Sequence, residues 1–123
     1  MFGLSKKSRN RLFEFTVPVT PGAASTLPVD PNCGRVVCYA AGIDEDKAKQ
    51  VAILKFHLSR CVVNAGWQVR EVDPKSWAHY AKTRWPRSAG SMPSQEQVMV
   101  VVEKGGFFFA PKETQNAAEV PSR

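Results

Sequence analysis

The chain has 123 residues, 43% of them hydrophobic and 10% aromatic, so it can bury one core, which excludes a mainly disordered chain. Seventeen Lys/Arg against eleven Asp/Glu give a net charge of +6, which favours contact with nucleic acid, anionic lipid or an acidic protein surface without choosing among them. The apolar runs are shorter than the ~20 residues that span a bilayer, which excludes an ordinary membrane-spanning helix.

The two ends of the chain differ from its middle. Residues 1–11 are short and basic, with a charged stretch where a signal peptide would be apolar, and residues 111–123 lack apolar periodicity. We therefore expect a flexible arm over 1–11, one domain over 12–110 and a flexible tail over 111–123. Three cysteines do not make a disulfide scaffold, so we expect a soluble cytoplasmic protein with no membrane partner.

Two strands are predicted before the first helix. The stretch "LFEFTVPV" alternates from Leu12, with Phe13 and Phe15 on one side and Glu14 on the other, as in a half-buried strand. Pro18 lacks a ladder donor, which predicts an edge strand. A loop rich in proline and glycine follows over 20–34, and "RVVCYAAGI" over 35–43 is typical of a covered central strand.

A long helix is predicted over residues 45–65. Asp44 can cap its start, acidic residues occupy its first turn, and Gly66 can end it. Six apolar residues fall on one stripe, which we expect to face the core: Val51, Leu54, Leu58, Cys61, Val62 and Ala65. A second apolar patch, which contains Phe56 and Val63, needs its own cover from the fold or from a partner subunit.

The segment "PKSWAHYAKTRWPR" predicts a second helix, which follows a short strand "WQVREV" and ends near Pro86. On a helical projection Trp77 and Trp85 share one side, while Lys75 and Lys82 lie on a neighbouring stripe. We therefore expect the tryptophans to be core residues rather than a stacking platform for bases.

The last folded segment, "VMVVVEKGGFFFA", has two β-rich runs around Gly105 and Gly106, which predicts a hairpin. The complete order is then β-β-α-β-α-β-β. This order predicts a single α+β domain with about five strands in a mostly antiparallel sheet, one long helix and one short helix.

No catalytic or metal site is predicted. Cys33, Cys38, His57 and Cys61 have the spacing of a zinc site, but a strand would separate the first two by up to ~16 Å, whereas zinc ligands lie within about 2.3 Å of the metal. His57 and Cys61 are the local pair closest to a base and nucleophile, and a cysteine on an apolar stripe is ordinarily inert. We expect a protein that is not an enzyme and needs no metal or cofactor.

The leading hypothesis is binding to nucleic-acid phosphates without sequence specificity, because residues 74–95 contain no acid and no base-reading motif is present. The candidate contacts are the cations of the arm and of the second helix: Lys6, Lys7, Arg9, Arg11, Lys75, Lys82, Arg84 and Arg87.

The alternative is a protein-interaction module, an adaptor or inhibitor that binds an acidic protein partner or forms a homodimer. Three consecutive phenylalanines cannot all point to one side of a strand, so a sheet with helices on one face only would expose apolar area. The predicted interface residues are Phe56, Val63, Phe107, Phe108 and Phe109. A second helix over that face would remove this surface.

Overall fold

The computed structural model describes residues 9–21, 34–59 and 61–110. The predicted tail, and the predicted arm before Arg9, lie outside the described residues. The elements in chain order are β1 Arg11–Pro21, β2 Arg35–Gly42, α1 Glu45–Leu58, β3 Cys61–Val63, β4 Gln68–Val72, α2 Trp77–Arg84, α3 Gln95–Lys104 and β5 Phe107–Phe109.

The strands form one antiparallel five-stranded sheet, which confirms the predicted α+β fold. β1 lies between β2 on one side and β3 and β4 on the other, and β5 pairs with the far side of β2. Helices cover both faces, with α1 on one face and α2 and α3 on the other. The side chains of β1 and of β2 therefore alternate between two different cores, one on each face of the sheet.

The prediction that β1 is an edge strand is wrong, and the reason lies at Pro18. Residue 16 of β1 pairs with residue 68 of β4, and residue 19 pairs with residue 63 of β3. Residues 17 and 18 of β1 therefore lie opposite four residues, 64–67, which form a bulge between β3 and β4. Val19 donates its N–H to Gly34 on the β2 side, and alternation turns the nitrogen of Pro18 to the bulge. No ladder donor is needed there, so a proline is accommodated inside the sheet.

α1 begins where predicted but ends earlier and buries a different side. The Asp44 carboxylate accepts a hydrogen bond from the Lys47 N–H at 2.9 Å. The buried residues are Ala48, Ala52 and Phe56, whereas the predicted core residue Leu58 is 65% exposed. Two alanines at a spacing of four bring the helix close to the sheet, because they carry almost no side chain.

The early end of α1 follows from the pairing of residues 61–63. These residues form β3 against the end of β1, and two of them are β-branched valines, which suit a pleated surface. Ladder hydrogen bonds to β1 replace the last two turns of the predicted helix. The predicted helix over 45–65 is therefore a helix over 45–58 followed by a strand.

α2 confirms the helix predicted for the "PKSWAHYAKTRWPR" segment. A 3₁₀ turn over Pro74–Ser76 precedes it, and the Asp73 carboxylate accepts a hydrogen bond from the Lys75 N–H at 3.0 Å. Trp77 and Trp85 are 1% and 0% exposed, so both are core residues, as predicted. Trp77 donates its indole N–H to the Pro93 carbonyl at 2.8 Å, which connects α2 to the segment before α3.

The predicted hairpin is wrong because its first run forms the helix α3. Ser94 and Gln97 form a capping box at its start, and Val98 and Val102, four residues apart, are buried on one side. Gly105 ends the helix with a left-handed φ of 66°. Caps at both ends, with buried residues at helical spacing, outweigh the β preference of the valines.

The exposed apolar sheet face is also not found in the described part of the chain. Phe108 stacks on Tyr39 at 4.9 Å under α2, while Phe107 and Phe109 pack against the core on the α1 side. All three rings are partly buried. Helices lie on both faces of β5, because the segment predicted as the first hairpin strand is the helix α3, which packs on the same face as Phe108.

Substitution of Gly105 tests the helical end of α3. Gly105→Ala should lower the free energy of unfolding by about 1 kcal/mol, since a Cβ disfavours a left-handed residue, and the site itself has room for the methyl group. Gly90→Ala is the control, because its Cβ would enter open space without a positive φ, and we expect a change within about 0.5 kcal/mol. Urea unfolding measures both. Equal effects at the two glycines would contradict the assigned cap.

Candidate functional site

A buried carboxylate lies on the face of the sheet that carries α2. Glu14 on β1 pairs with Arg70 on β4 and with Tyr39 on β2, so these three side chains form one row on that face. Glu14 is 3% exposed and is the buried charged residue of the described core. An unpaired carboxylate would be strongly unfavourable there, so its partners decide the local structure.

The Glu14 carboxylate accepts three hydrogen bonds on the same oxygen. The Tyr39 and Tyr80 hydroxyls donate to Oε2 at 2.7 Å each, and Arg84 donates its Nε–H at 3.2 Å. Trp85 donates its indole N–H to the Tyr39 hydroxyl at 2.8 Å. Charge-assisted hydrogen bonds of this kind offset the loss of hydration and join β1, β2 and α2 at one point.

Two arginines flank this carboxylate. Arg84 is 21% exposed and lies with its guanidinium 4.2 Å from the centre of the Trp85 ring. Arg70 reaches the other oxygen of Glu14, with its Nε 3.8 Å from Oε1, and is 61% exposed. Two positive charges thus surround one negative charge, which leaves a local charge of +1 at the surface.

Both tyrosines are held in the protonated form. Burial, and then the charge of Glu14, raises the pKa of Tyr80 to about 12. The same two causes raise the pKa of Tyr39 well above its usual range. Each phenol therefore keeps the proton that it donates to the carboxylate at neutral pH.

The predicted basic surface of α2 is divided between two sides of the helix. Lys75, Lys82 and Arg87 are exposed, whereas Arg84 turns inward to Glu14. Residues two apart on an α-helix project about 200° apart, so Lys82 and Arg84 leave opposite sides of α2. The structure brings Arg84 to Arg70 and leaves Lys75 and Lys82 on the outer surface.

The cations of the predicted arm have different surroundings. Arg9 is exposed, and Lys6 and Lys7 lie outside the described residues. Arg11 belongs to β1 rather than to an arm, and it forms an ion pair with Glu71 at 2.8 Å. Its side chain shares the α1 face of the sheet with Phe13, so it does not lie beside Glu14.

The predicted interface residues belong mainly to the core on the α1 side. Phe56 is fully buried, and Val63, Phe107 and Phe109 pack around it and its neighbours. Phe56 cannot contribute to an exposed patch, because the sheet covers that side of α1, whereas Val63, Phe107 and Phe109 are partly buried. Exposed apolar side chains lie instead on the outer surface of α1, at Ile53, Leu54 and Leu58.

The described cysteines and histidines differ in their burial. Cys61 is buried on β3 and His57 is exposed on α1, and Cys33 lies outside the described residues. Burial raises the pKa of the Cys38 thiol, which disfavours a nucleophilic thiolate. No group of three potential metal ligands occurs among the described residues.

Two of the grooves in the described part of the chain lie on the α2 and α3 side, and neither has a lysine or an arginine in its lining. One, of about 450 Å³, lies beside Met92, Gln97 and Phe108 and has no charged lining residue. The other, of about 340 Å³, lies between β4 and α2 and is lined by two acids, Glu71 and Asp73. The positive groups of this layer therefore lie on open surface, outside both grooves.

Comparison with protein-family models, with characterised proteins and with solved structures finds no significant match. Within the described residues, no helix has the length and apolar character needed to cross a bilayer.

The sequence predictions missed Glu14, Tyr39 and Arg70 as a group. One signal was present, since "FEF" places an acid inside an alternating strand of large apolar residues, and a buried acid needs a cationic partner. Its partners could not be named without the strand pairing, because Tyr80 and Arg84 lie 66 and 70 positions away in the chain.

Titration of the phenols tests the buried network. The chain has two tyrosines, both bonded to Glu14, so tyrosinate absorbance should be absent from the folded protein until the pH approaches about 12. In denaturant both should ionise near pH 10. Because the unfolded chain then releases protons that the folded chain keeps, the free energy of unfolding should fall as the pH rises above about 10.

Ultraviolet absorbance measures the phenols, and circular dichroism on the same samples reports whether the chain is still folded. A folded sample with substantial tyrosinate at pH values near 10 would contradict the network.

Proposed function

We propose that this protein is a non-enzymatic binding protein that contacts nucleic-acid phosphates, without sequence specificity, through the cations on the two sides of the α2 segment, residues 75–87, and through Arg70 of β4. The observation that carries the proposal is the burial of Glu14 between two arginines. The acid beneath α2 is already neutralised, so it does not cancel the cations above it.

The charge of this surface supports an anionic ligand. Residues 74–95 contain no acid, and no ion pair involving Lys75 or Lys82 is found among the described residues. Their ammonium groups are therefore available to phosphates as point charges. Contacts of this type fix the position of a backbone and carry no base information.

The surroundings of these cations favour nucleic acid over a lipid surface or an apolar protein interface. None of the large exposed apolar side chains in the described part of the chain lies on α2, so nothing there would insert into a bilayer or form a dry contact. Trp77 at the start of α2 and Trp85 just after its end are both buried, which leaves recognition to the charged groups.

Charge reversal tests this proposal. Lys75→Glu with Lys82→Glu should weaken binding to a mixed-sequence single-stranded oligonucleotide by at least about tenfold at low salt. It should also reduce the dependence of affinity on salt, since fewer counterions are released when fewer phosphates are contacted. Fluorescence anisotropy over a series of salt concentrations measures both quantities.

The matched control is Lys47→Glu with Lys55→Glu, which changes the net charge equally but lies on α1, on the opposite face of the sheet. We expect this control to keep most of the affinity. Equal losses in the two variants would show a response to net charge alone, and the absence of wild-type binding at low ionic strength would remove the proposal.

A second candidate function is self-association through α1, and a separate observation favours it. Leu54 and Leu58 are 54% and 65% exposed and lie four residues apart, next to the exposed Ile53, so they form one apolar stripe. α1 carries acids in its first turn and Lys55 in its last. Two copies related by a two-fold axis and packed antiparallel would cover the stripe and bring opposite charges together.

Replacement of the stripe tests this candidate. Leu54→Ser with Leu58→Ser should convert a dimer to a monomer in multi-angle light scattering, because the buried apolar area is lost. Met99→Ser with Val100→Ser is the control, since these residues are also exposed but lie on α3. A wild-type monomer at high protein concentration would exclude this mode of association.

A further inference from the structure

The two arginines beside Glu14 have unused hydrogen-bonding capacity. Each guanidinium contacts the carboxylate through its Nε edge. Among the described residues, no acceptor is found for the terminal nitrogens of Arg70 or Arg84, and these nitrogens carry four of the five N–H donors of each guanidinium. The donors left over have the planar fork geometry that matches the oxygens of a phosphate.

These guanidiniums are held in place before any ligand binds. Arg84 is bonded to Glu14 at its edge and stacked on Trp85 at its face, and Glu14 is itself bonded to two tyrosines. Arg70 is placed opposite Glu14 by the β1–β4 register. A preorganised fork loses less conformational freedom on binding than a free lysine does.

The charge of the cluster indicates the class of anion. One carboxylate between two guanidiniums leaves a single net positive charge, which matches the single negative charge of a phosphodiester. The cluster is also open to solvent on one side, because Arg70 is 61% exposed, so a continuous nucleic-acid backbone could reach it without entering a pocket.

We propose that Arg70 and Arg84 together bind one phosphodiester of the nucleic-acid backbone as a fork, and that Glu14 is the positioning residue that holds them. This proposal rests on the nucleic-acid function proposed above and adds to it a defined phosphate site. Lys75 and Lys82 then supply the long-range attraction, while the arginine pair sets the register of the backbone on the surface.

Charge-preserving substitution separates a fork from a point charge. Arg70→Lys with Arg84→Lys keeps the net charge but loses the planar donors, and it should weaken binding of the labelled single-stranded oligonucleotide by about tenfold. The control is Arg35→Lys, an exposed arginine on the same sheet face two rows from Glu14, for which we expect less than about a twofold change.

Replacement of Glu14 should change the affinity in opposite directions, depending on whether the cations act as independent point charges or as a fork. Glu14→Gln removes a negative charge, so a surface of independent point charges should bind the oligonucleotide more tightly. A fork that depends on Glu14 should bind it more weakly. In the Glu14→Gln background, the two Arg→Lys changes should have little further effect, because residues that act as a unit are not additive.

Circular dichroism measures the folded fraction of each variant, and the affinities are compared per folded molecule. Unchanged affinity in Arg70→Lys with Arg84→Lys, or tighter binding in folded Glu14→Gln, would overturn the fork. The wider function would still stand if Lys75→Glu with Lys82→Glu weakened binding. Absence of wild-type binding would remove both proposals. If the losses caused by Glu14→Gln and by the two Arg→Lys changes were additive, Glu14 would have only a structural role and would not position the arginines.

Discussion

The position of α2 depends on the neutralisation of one buried carboxylate. Glu14 lies on a central strand at 3% exposure, and a charge in that position is tolerated only if donors surround it. The donors come from both layers, since Tyr39 belongs to the sheet while Tyr80 and Arg84 belong to the helix. Removal of any one donor would leave a buried charge under-satisfied, so the helix and the sheet are specified together.

The sheet separates two faces with different chemistry. On the α1 side, alanines and phenylalanines form a closely packed apolar core, and the outer surface of α1 carries leucines. On the other side, Leu12 packs with the buried tryptophans, and the polar row of Glu14 begins immediately beside it. Alternation along β1 produces this asymmetry, because its odd-numbered and even-numbered residues face different helices.

The sequence located the helical part of the candidate site, but it did not identify the sheet residues that complete the site. The acid-free segment 74–95 located the basic helix, and helical projection placed Trp77 and Trp85 in the core, as the structure confirms. The direction in which Arg84 turns depended on a carboxylate on β1. Arg70 entered the site only through the register of β4 against β1, which no local pattern contains.

Local sequence patterns were sufficient to predict the features that depend on neighbours within a few positions. These are the alternation of β1, the capped start of α1 at Asp44 and the apolar side of α2, since period and capping act over one or two turns. Tertiary structure decided the end of α1, the side of α1 that is buried and the partners of Glu14. Each of these depends on which distant strand completes a ladder or which distant donor meets a charge, and such contacts leave no periodic trace in the chain.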